Sequence, residues 1–391
     1  MSWQVKTLGE LVTIKGGGTP SKKIADYWGG TIPWASVKDL KSRVLLNTED
    51  SITELGVVKS ATNVIPKGTI IVPTRMALGK VAITGCDMAI NQDLKALIIV
   101  DNKQINQCYL ARFLESKSSF IESEGKGATV KGITLDFLKS LEIPLPPLDE
   151  QKRIAAILDK ADAIRQKRKQ AITLADEFLR SVFLDMFGDP VTNPKGWEEP
   201  ILSDIADVRS GVTKGKKLKE GTGITLPYMR VANVQDGYLD LSSIQTITVS
   251  EKDAEKCKLL RGDILLTEGG DPDKLGRGHV WNGEIDNCIH QNHIFSVRVK
   301  DEDYVRPAFL SAVIGSQRGK RYFLKVGKQT TGIATINKTV LSEFCPIVPP
   351  LELQDSYLKI ASRIKRMQTR KHYHEVTLFP SLSQKAFSGQ L

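Results

Sequence analysis

The chain states one pattern twice, 194 residues apart, and this repetition limits what it can fold into more than any other feature of its 391 residues. Trp3 and Leu8 recur as Trp197 and Leu202. Lys15, Gly17, Lys22 and Lys23 recur as Arg209, Gly211, Lys216 and Lys217. Ile32-Pro33-Trp34 matches Leu226-Pro227-Tyr228, Val37 matches Val231, and Lys67-Gly68 matches Arg261-Gly262, all at the same offset. Further along, Gly79 and Gln92 align with Gly278 and Gln291 at 199, and Pro146 aligns with Pro349 at 203, a drift that short loop insertions explain. Such a period is far longer than the roughly 20–50 residues of a solenoid unit. The pattern is therefore a duplicated domain, with approximate two-fold symmetry inside one polypeptide.

Each copy ends alike, in an extended apolar run, a Pro-Pro pair and a long charged stretch. Pro146-Pro147 cannot lie inside a helix, and Asp149 sits where an acidic residue favours a helix start. Apolar residues then alternate at three and four, at Ile154, Ile157, Ala161, Ile164, Ala171, Ala175, Phe178 and Val182, until Gly188-Asp189-Pro190. The second copy places Tyr357, Ile360, Ile364, Met367 and Leu378 in the same phase, and Pro380 should interrupt it. Asp149 to Asp185 would span about 55 Å at ~1.5 Å per residue, longer than a small domain is wide, so the helix is expected to project and find a partner helix. The expected fold class is α+β. Residues 1–147 and 188–350 form two similar globular domains with strand-like runs such as Thr69-Ile70-Ile71-Val72 and Asp263-Ile264-Leu265-Leu266; residues 148–187 form a central long helix and 351–391 a C-terminal one.

A duplicated domain suits a partner that itself offers two related sites, as duplex DNA or a pair of identical subunits does. The net charge of +10 favours a polyanion. No run approaches the roughly 18 apolar residues of a membrane span, no secretory signal follows Met1, and five scattered cysteines lack a paired spacing. These features point to a cytoplasmic protein without a membrane partner.

Catalytic motifs are scarce. Gly16-Gly17-Gly18 and the glycines of 211–216 lack the spacing of a phosphate-binding loop, and Cys288, His290 and His293 lack a fourth ligand at zinc-like spacing, so no metal site is expected. Glu124-Gly125-Lys126 resembles the tail of a nuclease carboxylate-lysine pair, but the second copy has Lys325 where an acid would be needed. No Ser-His-Asp or Cys-His arrangement is legible. The balance favours a binder, with no catalytic residue.

Positive charge gathers where the copies agree. Arg209, Lys214, Lys216 and Lys217 in the second copy, and Lys15, Lys22 and Lys23 in the first, lie beside glycines that let backbone approach a phosphate, as a DNA backbone clamp requires. Reading bases needs polar side chains on rigid supports. Candidates are Ser36, Lys38, Arg75, Lys80 and Gln92 in the first unit, and Arg230, Asn233, Glu268, Arg277, His279 and Gln291 in the second. The copies keep apolar and glycine positions but change these polar ones, as two scaffolds reading two different sequences would. A free-standing DNA-binding regulator that dimerises through its helices and an enzyme with a hidden site are the rival readings.

The duplicated Trp-x-x-x-x-Leu unit, the segment Ile-Pro-Leu-Pro-Pro-Leu-Asp-Glu-Gln-Lys-Arg-Ile at 143–154, the helix after it and the closing Lys385-Ala386-Phe387-Ser388-Gly389-Gln390-Leu391 resemble the DNA-specificity subunits of type I restriction-modification systems. The second copy departs at Leu353, which replaces Glu150. The resemblance implies that 1–147 and 188–350 are target-recognition domains, each reading half of a split site in double-stranded DNA. It also implies that the two helices pack as an antiparallel coiled coil that fixes the gap and docks two methyltransferase subunits. This chain would then bind no cofactor; S-adenosylmethionine would bind the methylating partner, and ATP and magnesium a restriction motor-nuclease subunit where one joins for cleavage.

Overall fold

The computed structural model describes residues 3–127, 129–215, 223–270, 275–330, 333–372 and 375–391. The chain folds into two compact units, one of residues 1–170 with 371–391 and one of residues 171–370.

The first unit is organised by a five-stranded sheet. Its strands in chain order are β1 (Val12–Gly16), β2 (Val44–Leu45), β3 (Ile70–Pro73), β4 (Ala82–Thr84) and β5 (Leu94–Ile99), arranged as β1-β5-β3-β4-β2. β5 lies antiparallel between β1 and β3, and the centre of the sheet is covered on both faces: Ile70, Ile71, Leu94, Ala96 and Leu97 are all buried. One face packs on helix α1 (Gln107–Ser116) through Tyr109, Leu110 and Phe113, and on the start of α2 (Leu148–Phe187) through Ile154, Ala155 and Leu158. The other face meets Ala35, Met88 and Ile90 of a second, four-stranded sheet.

The second unit repeats this frame. β6 (Ala206–Ser210), β7 (Ile264–Thr267), β8 (Gly278–Val280) and β9 (Ile294–Val299) form a sheet in the order β6-β9-β7-β8. Helix α3 (Pro307–Ile314) covers it with Phe309, Leu310 and Val313, beside α4 (Leu351–His372). The last helix, α5 (Glu375–Phe387), returns to the first unit, where Ala386 is buried and Phe387 stands edge-on to Tyr109 with ring centroids 5.4 Å apart. In the second unit the end of α2 plays that part, with Phe187 edge-on to Phe309 at 5.1 Å. Within each unit the two helices run antiparallel. Arg153 and Arg165 of α2 meet Leu391 and Phe379 respectively, while Phe187 and Phe183 of α2 meet Tyr357 of α4.

Hydrogen-bond register corrects two of the sequence equivalences. Asn91 N donates to Ala35 O at 2.9 Å, and Gln291 N donates to Met229 O at 3.0 Å, so Gln291 matches Asn91, and Gln92 matches Asn292. Likewise Ile70 pairs with Ile83 and Ile264 with Val280, which makes Gly276, not Gly278, the counterpart of Gly79. Both glycines have positive φ, +78° and +66°, with a helix residue against the place of a Cβ, Ser118 in one unit and Phe323 in the other. Identical letters beside a gap pair the wrong residues; the backbone register pairs the right ones.

Candidate nucleic-acid interface

β1 and β3 end where β5 begins, so three loops converge at one end of the first sheet. Gly18 N donates to Ile90 O at 3.0 Å and Thr74 N to Asp93 O at 2.8 Å, tying the glycine loop and the β3 end to the Asn91-Gln92-Asp93 turn. Asn91 holds that turn from inside, its Oδ1 accepting from the backbone N–H of Asp93 and of Leu94, both at 3.1 Å. The repeated glycine is a packing residue: a Cβ on Gly17 would sit 2.0 Å from Ile90 O, and one on Gly211 2.0 Å from His290 O. The rigid turn therefore leaves Gln92 exposed, with its Oε1 accepting from the Thr19 hydroxyl. Arg75 is also exposed, 3.9 Å from Asp93. Lys95 donates to Gln92 O at 2.6 Å, and burial pushes its pKa down. A loop bridge from Arg75 to Gly132, itself bridged to Lys126, adds a further edge to this cluster.

The second unit builds the same end from different side chains. Val212 N donates to His290 O at 2.8 Å and Glu268 N to His293 O at 3.0 Å. At these positions Asp93 is replaced by His293 and Thr74 by Glu268, and the two replacements meet, His293 Nδ1 lying 2.6 Å from Glu268 Oε2. Gly269 pairs with Thr335 of a short hairpin, at the position where Arg75 bridges to Gly132 in the first unit. Buried His290 points its ring inward to Ile294 O at 3.0 Å, and desolvation lowers its pKa to about 4. Cys288 is buried too, its thiol pushed up to about 12 by desolvation, and among the described residues no group of three His, Cys, Asp or Glu could hold a metal ion.

The expected DNA contacts divide accordingly. Gln92, Arg75 and Ser36 in the first unit, and Gln291 and Arg230 in the second, lie at or beside these converging loops, Ser36 following Ala35, which receives the turn's hydrogen bond. Lys15, Lys22, Lys23, Lys38 and Lys214 are exposed, whereas Lys216 and Lys217 lie outside the described residues. Other candidates are engaged internally. Asn233 is buried, donating to Asp240 O and Ser243 O at 2.9 and 3.1 Å, and Arg209 donates to Lys256 O. Lys80 donates to Leu40 O at 3.1 Å; Arg230, although beside the loops, is also tied inward, donating to Ser243 O at 2.9 Å. Arg277, the counterpart of Lys80, has its Nε buried. His279 faces the other side of the sheet end, in a cavity beside α2 and α4, where burial brings its pKa to about 4. Thr19 and His293 escape sequence reasoning as members of this surface, and buried Asp93 as a support beneath it, because their place depends on a turn register that loop lengths conceal.

Among the helix residues expected to pair, Ile154, Tyr357 and Ile364 are buried, and Ile157, Ala161 and Ile360 are half-buried. Ile164, Phe178 and Met367 are 45%, 55% and 60% exposed, and the side chain of Leu378 lies outside the described residues.

The type I restriction modification DNA specificity domain matches residues 1–174 and again 194–376, and the chain belongs to that family. It is 26% identical to the type I restriction enzyme MjaIX specificity subunit of Methanocaldococcus jannaschii, over 96% of this chain and 91% of that one. It is 39% identical, over 41% of each chain, to the EcoR124I/EcoR124II specificity subunit of Escherichia coli. The fold superposes on the crystal structure of the type I restriction-modification S subunit from M. genitalium with a TM-score of 0.59 and 18% identity, covering 99% of this chain and 96% of that one. The two-domain α+β architecture is thus that of a type I specificity subunit. Among the described residues no helix is long and apolar enough to cross a membrane.

Proposed function

We propose that each unit reads one half of a bipartite site in double-stranded DNA through the converging loops at its sheet end, while the helices set the gap and dock two methyltransferase subunits. One observation carries this reading. The same backbone frame leaves Arg75 and Gln92 exposed beside buried Thr74 and Asp93 in the first unit, and places Gly269, Asn292, Glu268 and exposed His293 at the matching positions of the second. Such a frame with exchanged polar groups is what reading two different half-sites requires, since base edges are distinguished by donor and acceptor patterns. Exposed lysines beside the loops would neutralise phosphates without sequence preference. The chain itself would be non-catalytic, with S-adenosylmethionine bound by the methylating partner and ATP and magnesium by a motor-nuclease subunit.

The test is to exchange residues 1–147 for the corresponding unit of a relative, co-express the chimera with its methyltransferase subunits, and map methylated sites across a genome. One half of the split motif should change and the other persist. A folded, assembled chimera that alters both halves would refute independent reading.

A further inference from the structure

In the first unit, the wedge between α1 and α2 is filled by charge. Arg112, only 5% exposed, donates from Nε to Asp159 at 2.8 Å and from Nη1 to Glu115 at 2.8 Å and Asp162 at 3.3 Å, and Arg43 contacts both Glu115 and Asp159. The matching positions of the second unit follow from its own frame: α3 is offset from α1 by 200 residues and α4 from α2 by 203, as Asn106/Arg306 and Gln151/Gln354 show. Arg112 becomes Ala312, Glu115 becomes Gly315, Asp159 becomes Ser362 and Asp162 becomes Lys365; Gly237 takes the place of Arg43. All five line one cavity of about 640 Å³. That volume lies within the roughly 300–1,000 Å³ of small-molecule sites.

The cavity has a floor and a charged mouth. Phe183, Leu266, Val280, Tyr357 and Ala312 supply apolar surface. The acids at its edge face groups of the protein itself: Asp236 lies 3.8 Å from Lys320, Asp189 accepts from Val191 N at 2.9 Å, and Asp176 lies close enough to influence Lys365. Lys365 reaches Gly237 O at 3.4 Å. Arg180 lines the mouth, is exposed, and has no ion-pair partner among the described residues. His279 adds a neutral ring.

We infer that this cavity is a binding site for a small amphipathic anion, with an aromatic or aliphatic body on the Phe183–Tyr357 floor and a single carboxylate, sulfonate or phosphate head at Arg180. Such a ligand would join α3 to α4, beside the end of α2, where the first unit joins α1 to α2 with its own guanidinium and carboxylate groups. The site is separate from the converging loops that face DNA, and does not depend on how they read it.

The probe is 8-anilinonaphthalene-1-sulfonate, titrated by fluorescence into the full-length chain. Saturable binding to the native protein is expected, weakened roughly tenfold by Ala312→Phe, which fills the floor, and severalfold by Arg180→Gln. Phe178→Gln, which alters an exposed apolar side chain outside the lining, should leave it unchanged. Circular dichroism and thermal melting establish that each variant is folded; should Ala312→Phe fail to fold, Ser362→Phe at the exposed rim obstructs the same space. Absence of saturable binding, equal binding by a folded cavity-filled variant, or loss of binding in Phe178→Gln would overturn the site.

Discussion

Gln151 and Gln354 perform one task in two places: each, buried at the start of a long helix, joins that helix to the loop before the helix that covers the sheet. Gln151 Oε1 accepts from Asn106 N at 2.8 Å while its Nε2 donates to Pro146 O at 2.9 Å and Gln104 O at 3.0 Å. Gln354 accepts from Arg306 N at 2.9 Å and donates to Pro349 O at 2.8 Å and Tyr304 O at 3.1 Å. Every polar atom of either amide is used, and both side chains are at most 1% exposed. The Pro-Pro-Leu-x-x-Gln signature is therefore a fastening: the prolines stop the strand and begin the helix, and the glutamine locks its angle of exit.

Replacing Gln151 or Gln354 with Ala should destabilise the corresponding unit by about 3 kcal/mol, because three backbone groups are left without partners and each buried orphan costs about 1 kcal/mol or more. Urea unfolding followed by fluorescence checks this. A change in midpoint below a few tenths of a molar would mean that the amide does not fasten the helix.

Acid should weaken the second unit through His290. Its folded pKa of about 4 lies below the ordinary 6.5, so the folded ring stays neutral while the unfolded one takes up a proton. Stability is then complete above pH 6.5 and falls as pH drops toward 4, by about 3 kcal/mol at most for this one side chain. His279, also lowered to about 4 but only half-buried, adds a smaller loss of the same sign. His290→Phe should remove the larger part of the pH dependence of the unfolding midpoint between 6.5 and 4; an unchanged profile would place its origin elsewhere.

Much of this fold is legible in the sequence, for reasons that particular residues make plain. Repeated Gly17/Gly211 marks a backbone approach that no Cβ tolerates, and Pro146-Pro147 and Pro349-Pro350 mark chain breaks, so these positions advertise themselves. The interface is legible only in part. Gln92 and Arg75 stand out as polar residues near glycines, but Asn233 looks like a reader and is instead an internal tie for Asp240 and Ser243. His293 stands out in the sequence only as an incomplete zinc ligand; its place in the interface is hidden because the insertion that carries it shifts the alignment by one, and only the bond from Glu268 N to His293 O restores the register. The network around Arg112 is hidden because its members come from 43, 112–115 and 159–162, which no local pattern connects.

Phosphate contacts and base contacts should separate experimentally. Changing Lys214, Lys216 and Lys217 to Ala should weaken binding to all sequences alike and reduce the slope of log affinity against log salt, by roughly one for each phosphate no longer neutralised. Gln92→Ala should instead relax discrimination in the first half-site, at a cost of about 1–3 kcal/mol against the preferred base. Binding measured over a salt series on specific and scrambled duplexes distinguishes them. An unaltered salt slope in the triple variant would exclude a phosphate clamp at 214–217, and unaltered base preference would remove Gln92 from the readers.

The helices should act as a ruler between the half-sites. A heptad inserted near Lys169 keeps the apolar phase of α2 and adds about 10 Å at ~1.5 Å per residue. Since duplex DNA rises about 3.4 Å per base pair, the preferred gap should lengthen by roughly one to three base pairs, the smaller change applying where the helix runs obliquely to the duplex. The bases read in each half should stay the same, because neither sheet end is touched by the insertion. Selection of preferred sites from a duplex library with varied gaps, using the inserted chain assembled with its methyltransferase subunits, reads the result directly. A functional insertion variant that keeps the original gap would show that the spacing is set by something other than the length of α2.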